Sequence, residues 1–236
     1  IPFPFKLDDS KYLISLPIKN NEKSGGIIRG RNISQLLQQL TEGYNDTTNF
    51  DSLPIPFACI ATDMATNQKE VIRSGKLSEA MRASMAIPII FTPLYSDKKV
   101  LIDGGFKDNL PIDVVKSMGA DIIIAIDAQS ELATSDKLQA VPDVVNQLML
   151  MICQSELDID KIKQVDSYIK VNVEGYNAAS FSNEAIDTLI IRGKNAARAN
   201  YISLLSIKDK VGIVPSKKPH NTSFQLPFSP QYTPIK

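Results

Sequence analysis

One carboxylate with two glycines directly behind it is the group in this sequence best placed to do chemistry. In the segment Lys99–Gly105, which reads KVLIDGG, a short apolar strand ends at Asp103 and is followed by Gly104 and Gly105. Side chains alternate along a strand, so the carboxylate emerges where the strand stops, and glycines let neighbouring backbone approach closely. In open α/β sheets, ligands bind outside the carboxyl ends of strands. The segment therefore indicates a site, although an isolated Asp-Gly-Gly is also an ordinary turn sequence.

A second carboxylate ends another strand pattern. The segment Asp121–Asp127 reads DIIIAID, which is apolar without alternation, as a parallel strand buried on both faces requires. Asp127 would lie at the same edge of the sheet as Asp103. The alternative, an aspartate that terminates the strand and caps a turn, is the favoured interpretation of Asp127.

Composition excludes several classes of function. The chain has 26 basic and 26 acidic side chains and a net charge of zero, which argues against a nucleic-acid partner. It also contains no zinc-type ligand spacing. The longest apolar runs, at residues 122–126 and 148–153, fall far short of the roughly 20 residues that span a bilayer.

The elements before Asp103 follow from apolar periodicity and from helix-ending residues. We expect a short strand at Tyr12–Leu16, a helix capped by Asn32 and closed by Gly43, and a hairpin of residues 56–63 and 70–73. A further helix carries Leu77, Ala80, Met81, Ser84 and Met85 on one face and is ended by Pro88.

The elements after Asp103 alternate between helix and strand. Asn109 and Pro111 predict a cap and a first-turn proline for a helix that stops at Gly119. With the flanking strands it makes a right-handed βαβ unit. A helix is then expected over 142–162, with an inward face of Val144, Val145, Leu148, Met149 and Ile152. A strand is expected over 167–174. The last expected element is a helix to about residue 205, which Ser182 caps and which a hydrophobic contact between Phe181 and Ile186 stabilises at its start.

The order of these segments makes the chain recognisable. A helix ending in Ala83-Ser-Met-Ala-Ile-Pro88 leads to a strand, a hairpin and Asp103-Gly-Gly, followed by Asn109-Leu-Pro and a helix. This arrangement closely resembles patatin-like phospholipases of the bacterial type, from about residue 26 to about residue 213. The resemblance implies an α/β fold with an open, largely parallel sheet between helices on both faces.

The resemblance also implies a function. Asp103 would be the general base of a Ser-Asp dyad in a lipid acyl hydrolase, with Gly104 and Gly105 as the motif around it and no metal or other cofactor. A histidine-containing triad is disfavoured, because His220 is the only histidine and lies in a polar stretch without periodicity. Cys59 and Cys153 fit apolar patterns and indicate buried thiols instead of a disulfide. The expected substrate is a phospholipid or another lipid ester, which allows contact with a membrane surface.

Two parts of the family pattern have no counterpart in these 236 residues. The glycine-rich oxyanion loop and the Gly-x-Ser-x-Gly elbow that holds the nucleophile are both absent from the sequence. We therefore interpret the chain as the C-terminal portion of the domain, lacking its N-terminal strands and inactive by itself. The alternative is a catalytically silent module that acts in binding or assembly. Location is left open between the cell envelope, secretion and the cytoplasm.

Three segments are predicted along the chain. Residues 1–26 form an irregular lead-in, residues 27–213 form the patatin-like portion, and residues 214–236 form a Pro-rich linker or tail. Without the N-terminal strands, the strand at 122–126 or its neighbour would have an open edge. That edge predicts association between copies of the chain.

Overall fold

A computed structural model of the chain describes residues 26–28, 30–44, 48–96, 98–139, 141–155, 159–177, 180 and 182–212. The predicted strand at Tyr12–Leu16, the staple residue Phe181, His220 and the predicted tail lie outside the described residues. The strands are β1 Gly26–Ile28, β2 Thr48–Asn49, β3 Cys59–Asp63, β4 Gln68–Ile72, β5 Ser74–Gly75, β6 Ile89–Phe91, β7 Leu94–Ser96, β8 Lys99–Asp103, β9 Ile124–Asp127 and β10 Ser167–Lys170. The helices are α1 Arg31–Leu40, α2 Leu77–Ser84, α3 Ile112–Ser117, α4 Val141–Ser155, α5 Ile159–Ile162, α6 Asn183–Ala199 and α7 Tyr201–Val211. Within these ranges, every helix is too short or too polar to cross a bilayer.

The strands form both antiparallel and parallel sheets. An antiparallel sheet has the order β4-β3-β8-β7, and β2 pairs with β5 in the same sense. Parallel pairing joins β1 to β6 and β9 to β10. The predicted α/β class is confirmed, and its sheets are partly antiparallel because hairpins supply most of the strands around Asp103.

The antiparallel sheet packs against α2. Ala61 of β3, Ala83 of α2 and Leu101 of β8 form a buried cluster, with Ile72 and Leu94 against its rim. The small side chains let the helix approach the sheet closely. The predicted hairpin is confirmed as β3 and β4, and the predicted helix before Pro88 is confirmed as α2.

Two predicted helix caps are wrong. The N-cap of α1 is Gly30, not Asn32, and it has the left-handed φ of 67°. A side chain there would crowd the buried Arg82, since its Cβ would lie 2.9 Å from Arg82 Nε. The N-cap of α3 is Pro111, not Asn109, whose side-chain oxygen instead lies beside Gly105. At both positions a tertiary contact involves the residue that the local pattern alone would assign otherwise.

The second sheet departs from the predicted βαβ unit. β9 is paired with β10, whereas β8 belongs to the antiparallel sheet, so the parallel crossover runs from β9 through α4 and α5 to β10. The expectation that β9 is buried on both faces is wrong. Ala125 is buried, but Ile124 and Ile126 on the other face are 44% and 62% exposed. No described element covers that face.

The C-terminal helices differ in part from those predicted. Of the helix expected over 142–162, the structure describes α4 and α5, and residues 156–158 lie outside the described residues. The helix expected to about 205 is divided into α6 and α7 at Asn200. Ser182 caps α6 as predicted, because its Oγ accepts a hydrogen bond of 3.2 Å from Ala185 N. The predicted inward face of α4 is partly wrong, since Val144, Leu148 and Ile152 are exposed. The periodicity of α4 is real, but the described residues do not cover its apolar side.

The carboxyl end of β9 is closed by Asp127. Its side chain is buried, and its Oδ2 accepts hydrogen bonds from Tyr168 Oη at 2.6 Å and Lys170 Nζ at 2.9 Å. Its Oδ1 accepts a bond of 2.8 Å from Gln129 N. Burial raises the pKa of the Asp127 carboxyl, but these donors outweigh it and hold the pKa below its ordinary value. Asp127 therefore ties β9 to β10, in agreement with the favoured structural interpretation.

We expect Asp127→Asn to destabilise the protein by about 1–3 kcal/mol at pH 7, because a buried acceptor with three donors is replaced by an amide. A lowered folded-state pKa means that the contribution of Asp127 is present above the ordinary aspartate pKa of about 3.9 and is lost as pH falls through the lower folded value. Urea denaturation at pH 7 measures the destabilisation by Asp127→Asn, and the same measurement at pH 3 shows how much of the difference from the unsubstituted protein is lost in acid. Asp136→Asn, at an exposed position, is the control, and equal midpoints for the two variants would contradict the assignment.

The turn after β8 lies so close to β3 that residue 104 has to be glycine. A Cβ on Gly104 would overlap the backbone carbonyl of Ile60 and lie 2.8 Å from the Ile60 Cβ. We expect Gly104→Ala to lower the free energy of unfolding by about 1–3 kcal/mol through overpacking.

Gly193→Ala is the matched control for that substitution. Gly193 lies within α6 and a Cβ there would meet nothing within 4 Å. Alanine should stabilise the helix by about 0.5–1 kcal/mol. Denaturant midpoints that move in opposite directions confirm the close approach at Gly104, and a neutral Gly104→Ala contradicts it.

Candidate active site

Asp103 is placed by two neighbouring segments. It is the last residue of β8, where it is the register partner of Ala61 on β3. Its backbone N–H donates a hydrogen bond of 3.0 Å to the carbonyl of Ala86, just after α2. The predicted position of Asp103 at the end of a strand is thus observed, and the segment after α2 fixes its backbone.

The carboxylate of Asp103 is oriented by the turn that follows it. Gly104–Phe106 form a single 3₁₀ turn, and Gly105 N donates a hydrogen bond of 2.7 Å to Asp103 Oδ1. No other described group is hydrogen-bonded to this carboxylate. One oxygen is therefore held by a backbone amide, and Oδ2 has no hydrogen-bond partner in the described part of the chain.

Burial dominates the electrostatics of Asp103. Desolvation raises the pKa of its carboxyl above the ordinary value, and the hydrogen bond from Gly105 N opposes this only in part. The opposite holds at Asp127, where donors outweigh burial. Of the two candidate carboxylates, Asp103 is the stronger base, and Asp127 is occupied by structural contacts.

The two glycines are required for different reasons. Gly104 allows the turn to lie against β3, as described above. Gly105 is enclosed by side chains, because a Cβ there would lie 2.9 Å from Asn109 Oδ1 and 3.0 Å from Asp103 Oδ1. Glycines are expected to permit close approach of neighbouring groups. At Gly104 the neighbouring group is the backbone of β3, and at Gly105 it is the side chains of Asn109 and Asp103.

Cys153 is a neighbour of Asp103 that no sequence pattern predicts. It lies on α4, which packs against the 3₁₀ turn. Burial and, to a lesser extent, the charge of Asp103 raise the pKa of the Cys153 thiol to about 11. A neutral thiol is a weak nucleophile, so Cys153 is an uncharged neighbour of Asp103 and not a second reactive group. A separation of 50 positions in the sequence leaves no local signal for this contact. Both cysteines are free thiols, as predicted.

Ser78 does not complete a dyad with Asp103. Ser78 is buried in the first turn of α2, after the short strand β5. Its hydroxyl forms no hydrogen bond to Asp103, whose partner is Gly105 N. The described residues also contain no group of three or more His, Cys, Asp or Glu side chains that could hold a metal ion.

Comparison with known proteins agrees with the motifs. The profile of the patatin-like phospholipase family matches residues 6–116, a range that includes Asp103, Gly104 and Gly105. Lysophospholipase NTE1 of Mycosarcoma maydis is 27% identical over 72% of this chain and 10% of its own length. The mouse patatin-like phospholipase domain-containing protein 7 is 28% identical over 56% of this chain and 12% of its own length.

A third relative is also matched over only part of its own length. An uncharacterized NTE family protein of Mycobacterium tuberculosis is 24% identical over 73% of this chain and 33% of its own length. The chain thus spans between a tenth and a third of the length of these three relatives. The resemblance predicted from the Asp-Gly-Gly context is confirmed: over residues 6–116 the chain is similar to patatin-like phospholipases.

Proposed function

We propose that this chain supplies the general base of a lipid acyl hydrolase, and that Asp103 is that base in a Ser-Asp dyad. The observation that carries the proposal is the Asp103 carboxylate, which is desolvated, held through Oδ1 by Gly105 N at 2.7 Å and hydrogen-bonded by no other described group. A base that accepts a serine proton needs a free oxygen and a raised pKa. The family match over residues 6–116 supports an ester substrate from a lipid.

In the proposed reaction, Asp103 acts twice. A serine outside this chain attacks the carbonyl carbon of a lipid ester, and Asp103 Oδ2 accepts the hydroxyl proton as the new C–O bond forms. When the tetrahedral intermediate collapses, the C–O bond to the alcohol breaks and the same proton passes to the leaving oxygen. A water molecule then attacks the acyl-serine ester; Asp103 accepts a proton from the water and passes it to the serine oxygen as the acyl–serine C–O bond breaks, which releases the fatty acid. Every step is a proton or acyl transfer that needs no cofactor.

The neighbours of Asp103 support this role. Gly105 N holds Oδ1, and Gly104 lets the turn that carries this amide lie against β3. Cys153 is a neutral neighbour whose thiol senses the charge of Asp103. Phospholipids are the substrate class that we propose, with contact between the enzyme and a membrane surface during turnover.

Asp103→Asn is expected to lower hydrolysis of short-chain nitrophenyl esters at least 100-fold, on the order of a lost general base. The measurement uses the enzyme in which this chain and the serine occur together. The folded pKa of Asp103 is above its unfolded value, so ionised Asp103 does not stabilise the fold at pH 7, and the amide should leave the melting temperature nearly unchanged. Asp136→Asn is the control, and activity retained in Asp103→Asn would show that another residue is the base.

The chain by itself should have no esterase activity. Loss of one oxyanion donor alone costs on the order of 100-fold to 1,000-fold in rate, and this sequence contains neither the oxyanion loop nor the Gly-x-Ser-x-Gly motif. A fluorophosphonate probe should leave the purified chain unlabelled. Labelling of a serine together with turnover would mean that the nucleophile lies within these residues.

A further inference from the structure

A lysine on β4 is paired with two aspartates that follow Asp103 in the chain. Lys69 lies on β4, and its Nζ is 2.8 Å from Asp108 Oδ2 and 2.7 Å from Asp113 Oδ2. Asp113 also has Lys161 at 3.9 Å, whereas Lys69 is the only cation paired with Asp108 in the described residues. Burial lowers the pKa of Lys69, but its hydrogen bonds to the two carboxylates outweigh burial and raise it. Lys69 therefore remains a cation between two carboxylates.

The ion pair with Asp108 is the buried part of this cluster. The Asp108 side chain is 5% exposed, and that of Lys69 is 28% exposed. An ionised carboxylate at this depth is costly without its partner, because the lost hydration is not replaced. Lys69 is therefore the group that offsets the cost of burying the Asp108 side chain and holds it in place.

Asp108 is connected to Asp103 through a short chain of hydrogen bonds. Its backbone N donates a bond of 2.9 Å to the carbonyl of Gly104, and Lys107 N donates one of 3.0 Å to the same oxygen. Those bonds close the 3₁₀ turn, and the closed turn directs Gly105 N at Asp103 Oδ1. The position of the Gly105 amide, which holds the Asp103 carboxylate, thus depends on both ends of the segment from Asp103 to Asp108.

β8 fixes one end of this segment, and Lys69 fixes the other. We propose that Lys69 is a positioning residue for Asp103: by holding Asp108, it keeps the turn closed and the Gly105 amide directed at Asp103 Oδ1. Lys69 touches neither the reacting atoms nor Asp103, so its effect passes through the backbone of the turn. Its importance for hydrolysis rests on the proposed function, whereas its effect on the turn does not.

Lys69→Met tests the effect on the turn without any assay of activity. We expect hydrogen exchange of the Gly105 amide, followed by NMR, to become about 10-fold faster or more, because the bond to Oδ1 opens more often. The Asp103 carboxyl carbon should titrate at higher pH, since a hydrogen bond to the charged form lowers a pKa. Cys153 on α4 is the described titratable side chain that interacts electrostatically with Asp103, and its neutral form should persist throughout the titration.

Lys99→Met is the matched control. It removes the same charge from the same sheet, where Lys99 Nζ lies 2.6 Å from Glu70 Oε2, but Lys99 makes no contact with Asp108. Because 1 M salt screens long-range charge effects, a shift of the Asp103 titration caused by the hydrogen bond should persist there. Asp108→Asn, of equal size, should reproduce Lys69→Met, and Lys69→Arg should restore slow exchange. Equal Gly105 exchange rates in Lys69→Met and Lys99→Met would overturn the proposal.

Kinetics of the enzyme that contains the serine give a second measurement. Lys69→Met should lower kcat on the order of 10-fold with little change in KM, since a misplaced base impairs the chemical step and not substrate binding. A change confined to KM would contradict positioning. If Asp103→Asn proves active, the proposed function fails, yet the exchange measurement still decides whether Lys69 holds the turn.

Discussion

The contact between the 3₁₀ turn and β3 is the constraint on which the candidate site depends. The turn can lie against the Ile60 carbonyl only because residue 104 has no side chain. That approach brings the next amide, Gly105 N, to within 2.7 Å of Asp103 Oδ1. The same approach buries the carboxylate and raises its pKa. Backbone geometry at one glycine thus controls both the orientation and the basicity of Asp103.

The two candidate carboxylates show how environment divides chemical from structural roles. Both end a strand, and both accept a hydrogen bond from an amide two residues later. Asp127 has in addition a tyrosine hydroxyl and a lysine ammonium group, which satisfy its charge and tie β9 to β10. Asp103 has no such partners among the described residues, so burial acts on it almost unopposed. A carboxylate in that condition is suited to accepting a proton.

β9 and α4 each have an apolar surface that no described residue covers. Ile124 and Ile126 on β9, and Val144, Leu148 and Ile152 on α4, are exposed although their sequence patterns are those of buried elements. Exposed patches of this kind mark surfaces that other polypeptide or lipid normally covers. Association between copies of the chain, which we predicted from the open strand edge, stays a prediction.

The sequence by itself determined several local elements and the resemblance to patatin-like phospholipases. Alternation and turn residues located the β3–β4 hairpin, Pro88 located the end of α2, and the strand before Asp-Gly-Gly placed Asp103 at a strand terminus. These features depend on periodicity and on the backbone preferences of proline and glycine, which act within a few residues. The order of the same motifs was sufficient to identify the patatin-like relationship that the profile match confirms.

Only the tertiary structure decided the contacts between distant segments. Gly30, not Asn32, caps α1, and Arg82 lies where a side chain at residue 30 would be; Asn109 lies beside Gly105 instead of capping α3. The pairing of β9 with β10, the approach of Cys153 to Asp103 and the link between Lys69 and Asp108 join residues that are 39 or more positions apart. Such contacts leave no periodic trace in the sequence, because they depend on how whole elements pack and on which charges that packing buries.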